Sequence, residues 1–283
     1  MFVTAADGTQ LHVSDQSPQA LGGVAPVLPA SGPAPTVLWL QGLNAPGSAW
    51  AVQLAHFSRT HRSVVPDARG VGKSGQPRGP YTTAQMADDA LRVLDACQVD
   101  SAHVVGLSLG GATAQELALR APERVKSLTL IGTFAGTFPR QQALLEAWRA
   151  LYPVALAAPG GREAWEKQAY AWLFTDAFWK KDTNVRAALR FAGTQPAQTP
   201  EGFQGQVDAA LTHDTRARLP GLKLPTLVIH GALDQLAPVE AGHELARLIP
   251  GAELLVVPDA GHAVNLESQR AVHAALRAHW AKV

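Results

Sequence analysis

The sequence predicts an α/β chain built on a mostly parallel central sheet with helices on both faces. Short apolar runs rich in Val and Leu recur along its 283 residues, and helical patterns separate them. The runs are almost continuously apolar, as strands covered on both faces require. They are Thr36 to Leu40, Arg62 to Pro66, Ala102 to Leu107, Val125 to Ile131, Leu224 to His230 and Glu253 to Val257. Ahead of them, Phe2 to Thr4 and Leu11 to Val13 flank the turn signal Asp7-Gly8 and read as an antiparallel hairpin.

Between the runs, Met86, Ala90, Val93, Leu94 and Cys97 keep helical spacing over Thr82 to Ala96, and Thr82 with Gln85 has the form of a capping box. Gly111 to Ala118 reads as a helix ended by Pro122, and Val272, Leu276 and Trp280 mark a C-terminal helix that closes on the sheet. The alternation stops from Phe134 to Arg216. That stretch has no strand run, but it has helical patterns at Leu144, Leu145, Trp148, Leu151 and Tyr152 and at Trp165, Ala169, Trp172 and Leu173. It holds 12 of the 18 aromatic residues in 83 of 283 positions, about a twofold enrichment. The expected organisation is a core of residues 1–133 and 217–283 with a helical cap, or lid, at 134–216 inserted after the sixth strand. The cap aromatics have two readings, a hydrophobic core of their own and a wall over a substrate pocket.

Composition narrows the partners. Lys plus Arg number 24 and Asp plus Glu 23, a net charge of +1 that gives no case for nucleic acid or an acidic membrane. Cys97 is the only cysteine, so neither an intrachain disulfide nor a cysteine metal site is available. Met1 to Asp7 lacks the basic-then-apolar pattern of a signal peptide, and a cytoplasmic location is expected. No charged residue occurs between Asp15 and Arg59, yet Gly22, Gly23, Pro29 and other glycines and prolines rule out a membrane span there. This stretch reads as a long turn followed by a buried strand and the loop Gln41 to Asn44. With no charge nearby, backbone N–H groups dominate the local electrostatics.

Gly106-Leu107-Ser108-Leu109-Gly110 matches G-x-S-x-G. Its context is the one the chemistry needs: a strand enters the turn and a helix leaves it, so the serine is pushed into an exposed, strained position. A serine hydroxyl is a weak nucleophile until a base takes its proton, and that base needs an acid to orient it. Asp234 follows the strand that ends near His230, and His262 follows the next strand. His12, His56, His61, His103, His213, His243, His273 and His279 lie elsewhere in strands, helices or surface segments. His230 reads as shaping the Asp234 turn, and Asp259 serves as the acid only if its loop folds back. Two backbone donors are expected for the oxyanion, the N–H of Leu109 and that of Leu43. Gln41, Asn44, Trp148 and Trp172 are the candidates for contacting substrate, and Trp50 reads as core packing.

Taken together, four segments resemble the α/β-hydrolase family: Gly106 to Gly111, Asp67-Ala68-Arg69-Gly70-Val71-Gly72-Lys73-Ser74, His230-Gly231 through Asp234, and Gly261-His262. The resemblance covers nearly the whole chain and implies an α/β-hydrolase fold. The nearest-looking branch is that of the small serine esterases and lactonases, with 3-oxoadipate enol-lactonases, cofactor-free haloperoxidases and polyketide methylesterases. It implies hydrolysis of a small, largely apolar, uncharged ester or lactone through an acyl-enzyme on Ser108, with no metal or organic cofactor. The same triad would serve a C–C bond hydrolase or a cofactor-free perhydrolase, and the scaffold would also suit a non-catalytic ligand receptor. Serine rather than aspartate at position 108 argues against the haloalkane dehalogenase and epoxide hydrolase branches. Gln41-Gly42 replaces the His-Gly of many relatives, which keeps the turning glycine and alters the pocket beside it.

Overall fold

Each apolar run becomes a strand. The computed structural model describes residues 1–19, 25–27 and 32–283; the turn expected around Gly22, Gly23 and Pro29 lies outside them. The strands are β1 (Phe2–Thr4), β2 (Gln10–Gln16), β3 (Thr36–Leu40), β4 (Arg62–Pro66), β5 (Ala102–Leu107), β6 (Val125–Ile131), β7 (Thr226–Gly231) and β8 (Glu253–Val257). They form one sheet in the order β1-β2-β4-β3-β5-β6-β7-β8. The β1/β2 and β2/β4 pairs are antiparallel and the remaining pairs parallel.

Two strand limits differ from expectation. β2 runs beyond Leu11 to Val13 because Val13 to Gln16 also pair with Ser63 to Pro66 of β4, a partner distant in sequence. β7 starts two residues late because Pro225 has no N–H to donate to a ladder.

Side-chain alternation along the strands sorts the core into two layers. Leu38 and Leu40 of β3 face one side, against Val93 and Leu94 of α2 (Thr83–Ala96) and Leu117 of α3 (Leu109–Arg120). Val37 and Trp39 face the other, against Phe57 of α1 (Ala51–Phe57) and Leu276 and Trp280 of α11 (Gln269–Trp280). Trp50 is fully buried, 5.1 Å from the Trp39 ring, and packs in this second layer as expected. At the start of α2 the Thr82 hydroxyl accepts from Gln85 N, but the Gln85 amide turns to Asp7, so only half of the expected box forms.

The segment Asp67 to Ser74 is an internal truss. Asp67 accepts from the N–H groups of Gly47 and Lys73 and bonds His12, while the Arg69 guanidinium grips Asp89 through two hydrogen bonds and reaches Asp7 with a third. These contacts tie the edge hairpin, the loop after β3 and α2 into one unit.

Between β6 and β7 come five helices: α4 (Pro139–Ala157), α5 (Gly161–Leu173), α6 (Asp176–Trp179), α7 (Asp182–Thr194) and α8 (Pro200–Thr212). An antiparallel bridge between Gly136 and Asp214 and the bond from Thr215 N to Ala135 O close the neck of this insertion. The remaining helices, α9 (Val239–Leu248) and α10 (Val264–Glu267), lie beside β7 and β8. No described helix is long and apolar enough to cross a membrane.

Burial lowers the pKa of His61, His103, His213 and His273 to about 4 each. The folded state therefore holds these rings neutral where the unfolded chain, titrating near 6.5, would protonate them. Their contribution is complete above about pH 6.5 and is lost as pH falls toward 4. Thermal melts should show a lower midpoint at about pH 5 than at about pH 7; equal midpoints would contradict the assignment.

Candidate active site

The turn from β5 into α3 sets Ser108 at φ 54°, ψ −121°. A non-glycine residue in this region costs about 1–3 kcal/mol and persists only when its surroundings hold it. Four hydrogen bonds do so: Ser108 N donates to Ile131 O at 2.9 Å, and Ser108 O accepts from Gly111 N, Ala112 N and the Thr133 hydroxyl. The flanking glycines are steric requirements. A Cβ on Gly106 would lie 2.3 Å from Gly110 O, and one on Gly110 would lie 2.2 Å from Leu40 O.

Asp234 follows β7, and His262 follows β8. His262 Nδ1 and Asp234 Oδ2 are 2.7 Å apart, and both groups are buried. The other carboxylate oxygen accepts from Leu236 N and Ala237 N, each at 2.9 Å. Burial alone would raise the Asp234 pKa, but the adjacent His262 and the hydrogen bonds from His230 and His262 bring it down to about 2. The carboxylate therefore stays charged at neutral pH. It orients Nδ1–H of His262 toward itself, which leaves Nε2 as the proton acceptor.

His230 is fully buried and its Nε2 lies 2.9 Å from Ala237 O. A carbonyl only accepts, so Nε2 carries the proton, and this ring braces the Asp234 turn as the sequence suggested. Asp259 stays exposed, and the acid bonded to His262 is Asp234.

Gln41 to Asn44 approach Ser108 from β3. The Gln41 side-chain oxygen accepts from Gly42 N at 2.8 Å, and Asn44, at φ 61°, donates its N–H to Gln206 of α8 at 3.1 Å. Among the described residues neither Leu43 N nor Leu109 N has an acceptor within the fold. Both expected oxyanion donors are thus uncommitted, while the N–H groups of Gly42, Asn44 and Ser108 are used.

A cavity of roughly 530 Å³ separates the sheet from the insertion. Ser108, His262, Gln41, Leu43, Asn44 and Trp148 line it, and among the described residues His262 is the one histidine that does. Trp172 does not. The cavity side of α5 presents Glu166, Ala169 and Leu173, and Trp172 sits at the edge of that stripe, where its ring meets the Arg140 guanidinium. Of the twelve aromatics in the insertion, all but Phe134, Phe138, Trp172 and Trp179 line the cavity. Several of them also form the insertion's packing: Tyr152 stacks on Phe203 at 4.0 Å, and Trp165 meets both edge-on. Core and wall are the same side chains, so the two readings of these aromatics merge.

One brace was invisible in the sequence. Glu267 of α10 accepts from Thr175 N, from the Thr175 hydroxyl and from Gly261 N at 2.6–2.9 Å, and Ala263 N donates to Leu173 O. Those bonds join the insertion to both neighbours of His262. Thr175 and Glu267 are 92 positions apart, so no local pattern announces the pair.

Comparisons with known proteins agree with this fold. The family model described as the alpha/beta hydrolase fold matches residues 35–269. The chain is 35% identical over 214 residues to 2-hydroxymuconate semialdehyde hydrolase of Pseudomonas putida, covering 74% of this chain and 73% of that one. It is 30% identical over 248 residues to 3-oxoadipate enol-lactonase 2 of Acinetobacter baylyi, covering 86% and 88%. The crystal structure of the enol-lactonase from Burkholderia xenovorans superposes with a TM-score of 0.83 at 28% identity, over 99% of this chain and 100% of the other. With a matching family model over most of its length and a site of this geometry, the chain belongs to the α/β-hydrolase family.

Proposed function

We propose that the protein is a serine hydrolase that cleaves the ester or lactone bond of a small, largely apolar substrate. The observation that carries this reading is a cavity lined by the strained Ser108, by His262 with Asp234 bonded behind it, and by Leu43, whose N–H, like that of Leu109 next to Ser108, is uncommitted among the described residues. His262 Nε2 takes the Ser108 proton as Oγ attacks the carbonyl carbon, and the oxygen's new charge is held by the N–H groups of Leu43 and Leu109. The tetrahedral centre collapses, the C–O bond to the alcohol breaks, and His262 returns the proton to the leaving oxygen. A water deprotonated by the same imidazole then releases the acid and restores Ser108. Asp234 fixes the ring and stabilises its charged form throughout. Residues 134–216 act as a cap whose aromatic wall selects the acyl or alcohol group.

A second reading has one specific support, the relative whose name gives 2-hydroxymuconate semialdehyde, a compound without an ester, as its substrate. The same residues would then cleave a C–C bond beside a ketone. Turnover of vinylogous diketones in preference to matched esters and lactones would select this alternative.

Ser108→Ala should lower turnover of short p-nitrophenyl esters by roughly 10⁴-fold or more, and a fluorophosphonate should label the native protein and not the variant. Undiminished turnover would remove Ser108 from the mechanism. Glu267→Ala should lower kcat about 10- to 100-fold by loosening His262, while the fluorophosphonate still reaches Ser108. Amide exchange at Thr175 and Gly261 should accelerate together in this variant. Unchanged kcat with faster exchange at both amides would make Glu267 a purely structural tie.

A further inference from the structure

The α5 wall of the cavity carries a carboxyl that receives no hydrogen bond among the described residues. Glu166, on α5, lines the cavity with Tyr152, Trp165 and Tyr170, and among the described residues no donor lies within hydrogen-bond distance of its carboxyl oxygens. The neighbouring donors are committed elsewhere. The Tyr152 hydroxyl donates to Gln198 O at 2.9 Å and the Tyr170 hydroxyl to Ala188 O at 3.4 Å. Arg162, one turn earlier on the same helix, donates to Ala192 O at 2.7 Å and Gln195 O at 2.8 Å, where it caps the end of α7. The other two carboxyls on the cavity differ: Asp259 is exposed to solvent, and Glu267 is saturated by its three donors. A half-buried acceptor among aromatic rings, with no donor of its own, is the feature that a ligand's donor completes.

We propose that Glu166 forms a subsite for an uncharged hydrogen-bond donor, a hydroxyl or amide N–H, on the part of the substrate remote from the scissile bond. This rests on the reading of Ser108 as the nucleophile, which fixes where the carbonyl lies. Arg162 and Lys181 line the same cavity, and their positive charge disfavours a cationic donor beside Glu166. Burial raises the Glu166 pKa, and the Arg162 charge opposes that in part. The substrate expected is therefore an ester or lactone with an apolar body, held by the aromatic wall, and one distal hydroxyl or amide.

The test compares p-nitrophenyl ω-hydroxyalkanoates of increasing chain length with their methyl-terminated isosteres, in the native protein, Glu166→Leu and Glu166→Gln. At the chain length that spans the cavity, the hydroxyl-to-methyl ratio of kcat/KM should be about tenfold higher in the native protein than in Glu166→Leu. Glu166→Gln, which keeps a carbonyl acceptor, should retain part of the preference. An ω-ammonium ester should be a poorer substrate than the hydroxyl ester. Equal ratios in the native protein and Glu166→Leu at every length would overturn the subsite, and a preference for ammonium over hydroxyl would overturn its assignment to an uncharged donor. Binding of the same pairs to Ser108→Ala, read by tryptophan fluorescence, repeats the comparison without turnover. A failure of the acyl-enzyme reading, seen as undiminished hydrolysis in that variant, is thereby separated from a failure of the subsite.

Discussion

The backbone at Ser108 is the constraint on which the rest depends. Its φ of 54° is unfavourable for a residue with a side chain, and the sheet supplies what holds it. β5 lies between β3 and β6, so Ile131 O and the Thr133 hydroxyl are on one side of the turn and Leu40 is on the other. Only glycine at 106 and 110 lets the strand, the helix and β3 approach this closely. The same closeness brings the Gln41 to Asn44 loop beside Ser108, where a Cβ on Gly42 would lie 3.1 Å from the Ser108 Cβ. The central position of β5 thus determines both the strained turn at Ser108 and the close approach of the Gln41 to Asn44 loop.

The buried Asp234 carboxylate is the second organising charge. Removing a carboxylate from water is costly unless it is fully hydrogen-bonded. Here two backbone N–H groups, His262 and His230 meet that need. His230 does so from inside the fold, held by Ala237 O and by the absence of a side chain at Gly242, where a Cβ would lie 2.8 Å from its ring. The bonds to the carboxylate fix its plane, and through Nδ1 they define the imidazole orientation of His262.

The insertion completes the floor as well as roofing the cavity. Gln206 of α8 accepts from Asn44 N and donates to Arg69 O, while Glu267 ties Thr175 to Gly261. Both loops that flank Ser108 are therefore braced from the 134–216 segment. Under the proposed function, a segment that both walls the cavity and braces these loops would link recognition to rate, because its displacement would loosen both arms.

The sheet, its two helical layers and the chain order of Ser108, Asp234 and His262 were legible in the sequence, since each depends on local signals: apolar runs, helical spacing, and a glycine-flanked serine between a strand and a helix. The limits of β2 and β7, the half-formed cap at Thr82 and the position of Trp172 were not, because a distant partner or the edge of a helix face decides each. The braces made by Glu267 and Gln206 and the unengaged carboxyl of Glu166 belong to the same class. A polar residue on a helix announces only that it is polar; what it bonds, or leaves unbonded, is decided when segments far apart in the chain meet across the cavity. The sequence by itself determined the architecture and the candidate chemistry, through periodicity and turn residues. Tertiary structure alone decided the shape and polarity of the space in which that chemistry would act, because hydrogen bonds across the cavity depend on distances that no local pattern encodes.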